Sequence, residues 1–93
     1  MKRGYVYIMT NAPYGTLYIG VTSDINRRDY EHKNALGAAF TKKYHLSLLV
    51  HVETYDSILE AIAREKQLKA WRRDWKIDLI NAANPDWKNI DLI

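Results

Sequence analysis

The sequence predicts a single small α+β domain, and three observations carry that expectation. An N-terminal stretch reads as a β-hairpin, a later alternating run reads as another strand, and a capping box opens a helix further on. At 93 residues the chain is long enough for one hydrophobic core and too short for a second domain with a separate task, so residues 1–93 are expected to act as one body.

From Gly4 to Thr10 the run Tyr-Val-Tyr-Ile-Met is rich in β-formers, and Thr16 to Thr22 repeats the pattern with Leu17, Ile19 and Val21 on one face. The turn cluster Asn11-Ala12-Pro13-Tyr14-Gly15 separates them. A four-residue loop from Asn11 to Tyr14 would set Tyr7 opposite Tyr18, with both rings on one face, whereas a register shifted by one would separate them. Ser23 or Asp24 can cap a helix running to about Lys33 or Leu36, on which Ile25, Arg28, Asp29 and His32 share a face. After Gly37 and a stretch ending in Phe40-Thr41-Lys42-Lys43-Tyr44, Leu46 to Thr54 alternates as a third strand with Leu46, Leu48, Val50 and Val52 toward the core. Ser57 and Glu60 form the capping box of a helix expected to extend through Lys69. A second helical segment offers Trp71, Trp75, Ile77, Leu79 and Ile80 for packing. The turn Asn84-Pro85-Asp86 ends it, and Trp87 is placed to anchor the tail.

Composition narrows the chemistry. The absence of cysteine excludes disulfides, thiolate metal sites and cysteine nucleophiles, and it suits a cytoplasmic protein. Lys2 and Arg3 lead into a strand-like run with neither a signal h-region nor a membrane span. The three Trp and seven Tyr are what a small core needs for stability, so the aromatic content is not by itself a functional signal. A formal net charge of +3 suits a polyanionic partner without demanding one.

The residues that could carry chemistry each have a bland reading. Tyrosines such as Tyr7 and Tyr18 commonly sit half-buried in sheets with the hydroxyl wet. A helix-surface arginine such as Arg28 usually only solvates its face. What sets Arg28 and His32 apart is their shared stripe with Ile25, which places them at the border of the core, where a guanidinium could fork onto a phosphate. Glu65 lies among Ile58, Ala61, Ile62 and Leu68 on its helix, and a carboxylate there needs a cation or a metal. The ordinary partner is Lys69 one turn later or the neighbourhood of Arg64 at the rim. A single carboxylate with waters and a substrate phosphate is an ordinary way to hold Mg²⁺. No zinc spacing, convincing Ser/His/Asp set, P-loop or dinucleotide motif is present. Tyrosine, arginine, glutamate and a hard metal suggest phosphodiester hydrolysis.

Taken together, Tyr5-Val6-Tyr7, Tyr18-Ile19-Gly20, Arg28, His32 and Glu65 resemble the GIY-YIG nuclease superfamily, which includes homing endonucleases and the nicking subunit of bacterial nucleotide excision repair. Further likeness to its small single-domain bacterial members runs through Phe40 to Tyr44, Ala63 to Lys69 and Asn84-Pro85-Asp86-Trp87. The resemblance implies a three-stranded antiparallel sheet flanked by helices. It also implies roles: Tyr18 as general base or water-positioning group, Tyr7 as its hydrogen-bonded companion, Arg28 on the phosphate, and Glu65 on Mg²⁺ or Mn²⁺. His32 matches a position that carries histidine in part of the family. Tyr5 departs from the pattern, standing where the family name expects glycine, and Asn81 is a candidate for an asparagine found in some members.

The expected activity is therefore a metal-dependent endonuclease on nucleic acid, DNA rather than RNA, acting as a monomer. Lys42, Lys43, Lys69 and Arg72 are the candidates for phosphate contacts. Two other readings compete: a non-cleaving nucleic-acid-binding module on the same fold, and an interaction domain using its Trp-rich C-terminal helix. Burial of Trp71 and Trp75 in a monomer would speak against the last.

Overall fold

The computed structural model describes residues 2–34 and 43–92, and Phe40, Thr41 and Lys42 lie outside the described residues. Three strands, β1 (Gly4–Thr10), β2 (Leu17–Thr22) and β3 (Leu48–Tyr55), form an antiparallel sheet in the order β2-β1-β3. Helix α1 (Ile25–Lys33) follows the hairpin, and α2 (Ile58–Ala70) and α3 (Arg73–Ala83) follow β3. The expected three-stranded α+β architecture is the one observed.

The central strand β1 is buried along nearly its whole length because both sheet faces are covered. On one face Val6, Ile8, Ile19 and Val50 pack with Ala61 and Leu68 of α2, Ile80 of α3 and Trp87. On the other, Tyr7 and Met9 join Leu49, Leu46 and Ile25 of α1, with Tyr5, Tyr18 and Val52 alongside. Gly4 explains how closely α2 lies against the sheet. A Cβ there would stand 2.5 Å from the Ala61 Cβ and 2.8 Å from the Ile58 Cα, so any larger residue would push the helix away.

Two expectations about register need correction. In the hairpin Tyr7 pairs with Gly20 and Tyr18 with Met9, because the turn is longer than four residues. The slip relative to the expected pairing is two residues, so the side-chain alternation survives and both tyrosines keep a common face. In β3 a bulge between Ile8 and Met9 of the partner strand breaks the alternation: Ile8 pairs with His51, but Met9 pairs with Leu49. Leu48 and Val50 therefore face the two C-terminal helices while Leu46 and Val52 face the opposite cluster, so these four residues do not share one face.

The bulge leaves backbone groups that the ladder cannot satisfy, and the C-terminal tail supplies partners. Asn84 Nδ2 donates to the Val50 carbonyl at 3.1 Å, Leu49 N donates to Asn89 Oδ1 at 3.0 Å, and Ile90 N donates to the Leu49 carbonyl at 2.8 Å. Trp87 anchors the tail as expected: its indole N–H donates to Asn81 Oδ1 at 2.7 Å, and its ring stacks on Tyr14 at 4.8 Å. Tyr14 and Trp87 both adopt positive φ, 59° and 53°, a costly conformation for bulky side chains that their mutual stacking helps to offset. Asn81 also contacts the Tyr14 hydroxyl, so it joins the hairpin turn to the tail.

The helices begin where the sequence indicates. Asp24 caps α1 by accepting from Arg27 N, and Ser57 caps α2 by accepting from Leu59 N at 3.1 Å. Helix α2 is also fastened to β3 through Glu53, which receives Arg64 Nε at 2.9 Å, the Tyr55 hydroxyl at 2.7 Å and lies 2.8 Å from His51 Nε2. Burial alone would raise the Glu53 pKa, but hydrogen bonds from His51, Arg64 and Tyr55 outweigh it and bring the carboxyl to about 2. Of the two tryptophans offered for packing, Trp71 is half-buried against the core, whereas Trp75 is 47% exposed, with Arg72 over its ring. Asn84→Ala should cost roughly 1–3 kcal/mol by orphaning the Val50 carbonyl at the bulge. Thermal melts should show a fall of several degrees, and an unchanged melting temperature would show that the tail does not hold the bulge.

Candidate active site

The site grows out of the face of the sheet that carries Tyr7 and Tyr18. Their ring centroids are 6.2 Å apart, and each lies 5.5 Å from the ring of His32 on α1. Gly20 makes the arrangement possible. It sits directly across from Tyr7, and a Cβ there would come within 2.3 Å of the Tyr7 ring and hydroxyl, so only glycine lets this ring lie across the neighbouring strand. In the sequence Gly20 stood only as part of the Tyr18-Ile19-Gly20 motif and as a glycine inside an otherwise strong strand, with nothing to show that it makes room for the Tyr7 ring.

Tyr7 and His32 are both buried, and the Tyr7 hydroxyl lies 3.0 Å from His32 Nε2. The other ring nitrogen, Nδ1, is buried with no hydrogen-bond partner among the described residues. Burial, with an added push from Tyr18, raises the Tyr7 phenol far above its ordinary value, while the nearby Arg28 opposes that rise. Burial also lowers the His32 pKa, and Arg28 lowers it further, so the imidazole stands neutral at physiological pH. Arg28 itself is 41% exposed, with Nε 3.3 Å from Glu31 Oε1. Its charge thus acts on both buried rings while its guanidinium stays accessible.

Beyond Tyr18 the surface opens into a groove of about 320 Å³, walled by Leu17, Tyr18 and Ile19 of β2 and by Lys69 and Lys76 of the helices. Lys69 is bonded at 3.0 Å to Glu65, which is not itself among the lining residues. The carboxylate is only 13% exposed and the lysine 56%. The ordinary i,i+4 partner considered from the sequence is therefore present. Among the described residues no group of three His, Asp or Glu side chains could hold a metal. Glu65 fits Mg²⁺ only as a single carboxylate completed by water and substrate oxygens, which is a common arrangement for that ion.

The structure thus gathers Tyr7, Tyr18, His32 and Arg28, and Glu65 stands apart from them on α2, bonded to the Lys69 that lines the groove with Tyr18. Of the phosphate-contact candidates, only Lys69 lines the groove. Arg72 is bonded to Asp74 and stacked on Trp75, Lys43 is exposed beside the Tyr44 ring, and Lys42 lies outside the described residues. Tyr5 packs half-buried against the Tyr7 cluster. Asn81 is occupied by Trp87 and Tyr14, a structural duty. Lys76 was not among the sequence candidates, although it closes the most cation-dense stretch of the chain.

This geometry can be set beside known proteins. Residues 3–78 match the GIY-YIG catalytic domain. The chain is 37% identical over 81 residues to a UPF0213 protein of Staphylococcus saprophyticus, covering 87% of this chain and 98% of that one. It is 39% identical over 87 residues to a UPF0213 protein of Syntrophus aciditrophicus, covering 92% and 98%. The solution NMR structure of a UPF0213 protein from Bacillus halodurans has a TM-score of 0.59 and 30% identity to it, across 94% of this chain and 92% of that one. No helix among the described residues is long and apolar enough to cross a membrane. The GIY-YIG domain is in general a nuclease domain. By its matched domain and by these relatives, the chain belongs to the GIY-YIG family, within the UPF0213 group.

Proposed function

We propose that the protein is a metal-dependent endonuclease that hydrolyses phosphodiester bonds, DNA being the preferred substrate. The observation that carries this reading is the convergence of Tyr7, Tyr18 and His32, under the charge of Arg28, with Tyr18 lining a groove whose Lys69 is bonded to Glu65.

The buried histidine suggests how the tyrosines are oriented. An unmet buried acceptor is less costly than an unmet buried N–H, so the favoured tautomer carries its proton on Nε2 and leaves Nδ1, without a partner among the described residues, as a lone pair. Nε2–H then donates to the Tyr7 hydroxyl oxygen, and the Tyr7 O–H is free to donate to Tyr18. With a donor on that side, Tyr18 turns its own O–H toward the groove, where it positions or deprotonates the attacking water. Arg28 exchanges its contact with Glu31 for a non-bridging phosphate oxygen and stabilises charge there. Glu65 would hold Mg²⁺ or Mn²⁺, which when bound supplies further charge on the phosphate and leaving oxygen.

Purified protein incubated with labelled single-stranded, duplex and branched DNA and with RNA, in either metal, tests the proposal against a Glu65→Ala control. The Glu65–Lys69 ion pair is the one observation that favours a non-cleaving binding module instead, and binding without cleavage on every substrate would establish that reading.

Tyr18→Phe should slow the chemical step by about a hundredfold or more and leave binding nearly intact. Retention of full activity would remove Tyr18 from the mechanism. Glu65→Gln should abolish metal-dependent cleavage. Because its lysine partner is largely exposed, the same change should alter stability by no more than about 1 kcal/mol, measured by melting the same preparation. A large loss of stability with activity retained would make Glu65 a structural partner only.

The fold's pH response follows from His32. Its folded pKa is lowered, so the unfolded chain takes up a proton first as pH falls below the unperturbed 6.5, and stability is full above that value and lost beneath it. Glu53, held near 2, begins to add its own loss only below about 4.5. Arg28 and Lys33 strengthen the effect on His32, and Asp29 and Glu31 moderate it. Melting temperature should therefore fall between about pH 7.5 and 5 in the natural protein and fall less in His32→Gln. Equal slopes for the two would contradict a neutral buried imidazole.

A further inference from the structure

The groove beside Tyr18 is bounded by a corner of unusual charge. From Arg64 to Lys76 the chain carries Arg64, Lys66, Lys69, Arg72, Arg73 and Lys76 against only Glu65 and Asp74, a net of +4 where the whole chain carries +3. The rest of the molecule is therefore slightly acidic, and the basic character of the protein is local to the α2–α3 junction.

Most of these cations are spoken for. Arg64 is bonded to Glu53, Lys69 to Glu65, and Arg72 to Asp74, while Arg73 donates to the carbonyls of Tyr14 and Gly15 and so clamps the hairpin turn. Lys76 forms no ion pair among the described residues, yet it is half-buried in the groove wall facing β2. Its counter-charge is missing among the described residues, in the wall of a groove that Tyr18 of the candidate site also lines. The opposite wall is the outer edge of β2, which pairs only with β1 among the described residues and contributes Leu17 and Ile19 to the lining.

We infer that this groove is the track for the nucleic-acid backbone next to the scissile bond, with the Lys76 ammonium on a phosphate flanking the one held by Arg28. The inference rests on the nuclease reading and adds a path to it. A lysine is a compact, strongly hydrated point charge that binds phosphate without demanding a fixed orientation, which suits a contact that positions a strand and does not read its sequence. A narrow groove with cations on one wall is the form taken by sites that follow a sugar-phosphate chain. Lys69 stands beside Lys76 on the same wall, but its charge is shared with Glu65, so Lys76 makes the larger contribution when no metal is present.

The test is equilibrium binding of fluorescent single-stranded and duplex oligonucleotides to the full chain without divalent metal, which prevents cleavage, at a series of salt concentrations. Natural protein, Lys76→Ala, Lys76→Arg and Lys88→Ala, the last an exposed lysine of the tail, are compared, with melting curves confirming that each is folded. Lys76→Ala should weaken binding by about fivefold at moderate salt and lower the log–log salt slope by about one, the loss of a single phosphate contact. Lys76→Arg should restore the slope, and Lys88→Ala should leave it unchanged. An unaltered slope in Lys76→Ala overturns the groove assignment while leaving the nuclease reading standing. An equal loss in Lys88→Ala overturns it too, because the charge would then act diffusely. If the natural protein binds none of these nucleic acids even at low salt, the nuclease reading fails and the groove assignment fails with it.

Discussion

Helix α1 buries only two of its nine residues, Ile25 and His32, and the hydrogen bond from His32 to the Tyr7 hydroxyl is the polar half of that attachment. The rest of the site is built on this bond. Arg28 lies between the two buried residues on the same helix, so its guanidinium is held over the tyrosines only while both ends are seated. The bond in turn requires the Tyr7 ring to lie across β2, and that requires the absent side chain at Gly20. A backbone position, a phenol, an imidazole and a guanidinium thus form a chain of dependence in which each link fixes the next. An imidazole with one buried nitrogen unmet among the described residues is costly, and what it supplies in return is orientation of the Tyr7 hydroxyl.

Much of this was legible from residue types and spacing. The strands, the helix caps and the common face of Tyr7 and Tyr18 follow from alternation and from residues that satisfy backbone donors. The details that escaped are those set by contacts between distant segments. No local pattern announces the bulge in β3, because its cost is relieved by Asn84, Asn89 and Ile90, more than thirty residues away. The hairpin register differs by two because the turn between Thr10 and Leu17 is longer than four residues, and its Tyr14, left-handed in backbone, stacks on the distant Trp87. At the site, the four residues near β2 were identifiable from their pattern, whereas Lys76 was not. It reaches the groove only through the turn that sets α3 against the sheet.

The two half-buried carboxylates bound to cations of α2 show how similar chemistry serves different ends. Glu53 receives its neighbours from three directions and is driven to about 2, so its charge is fixed and its geometry rigid. It fastens the helix. Glu65, one residue beyond the arginine that Glu53 binds, has one largely exposed lysine as its ion-pair partner among the described residues. An acid held so lightly can change partners at little cost, while the clamp beside it keeps the helix from rolling. Rigid support next to an exchangeable ligand is what a site needs if it is to recruit a cation without moving its framework.

The sheet has two outer edges, and they are treated differently. That of β3 is covered by the tail at its bulge, but that of β2 pairs with nothing beyond β1 among the described residues. An uncovered strand is a template on which other extended chains, including further copies of the same protein, can add and aggregate. Natural sheets discourage such addition with charge at the rim, and lysine is the favoured guard. Lys69 and Lys76 stand in that position, so the side chains that would welcome a polyanion also repel a second copy of this chain, whose own edge brings the same two positive charges. Neutralising that pair, by mutation or by a bound polyanion that fills only part of the groove, would leave the edge of β2 without this guard.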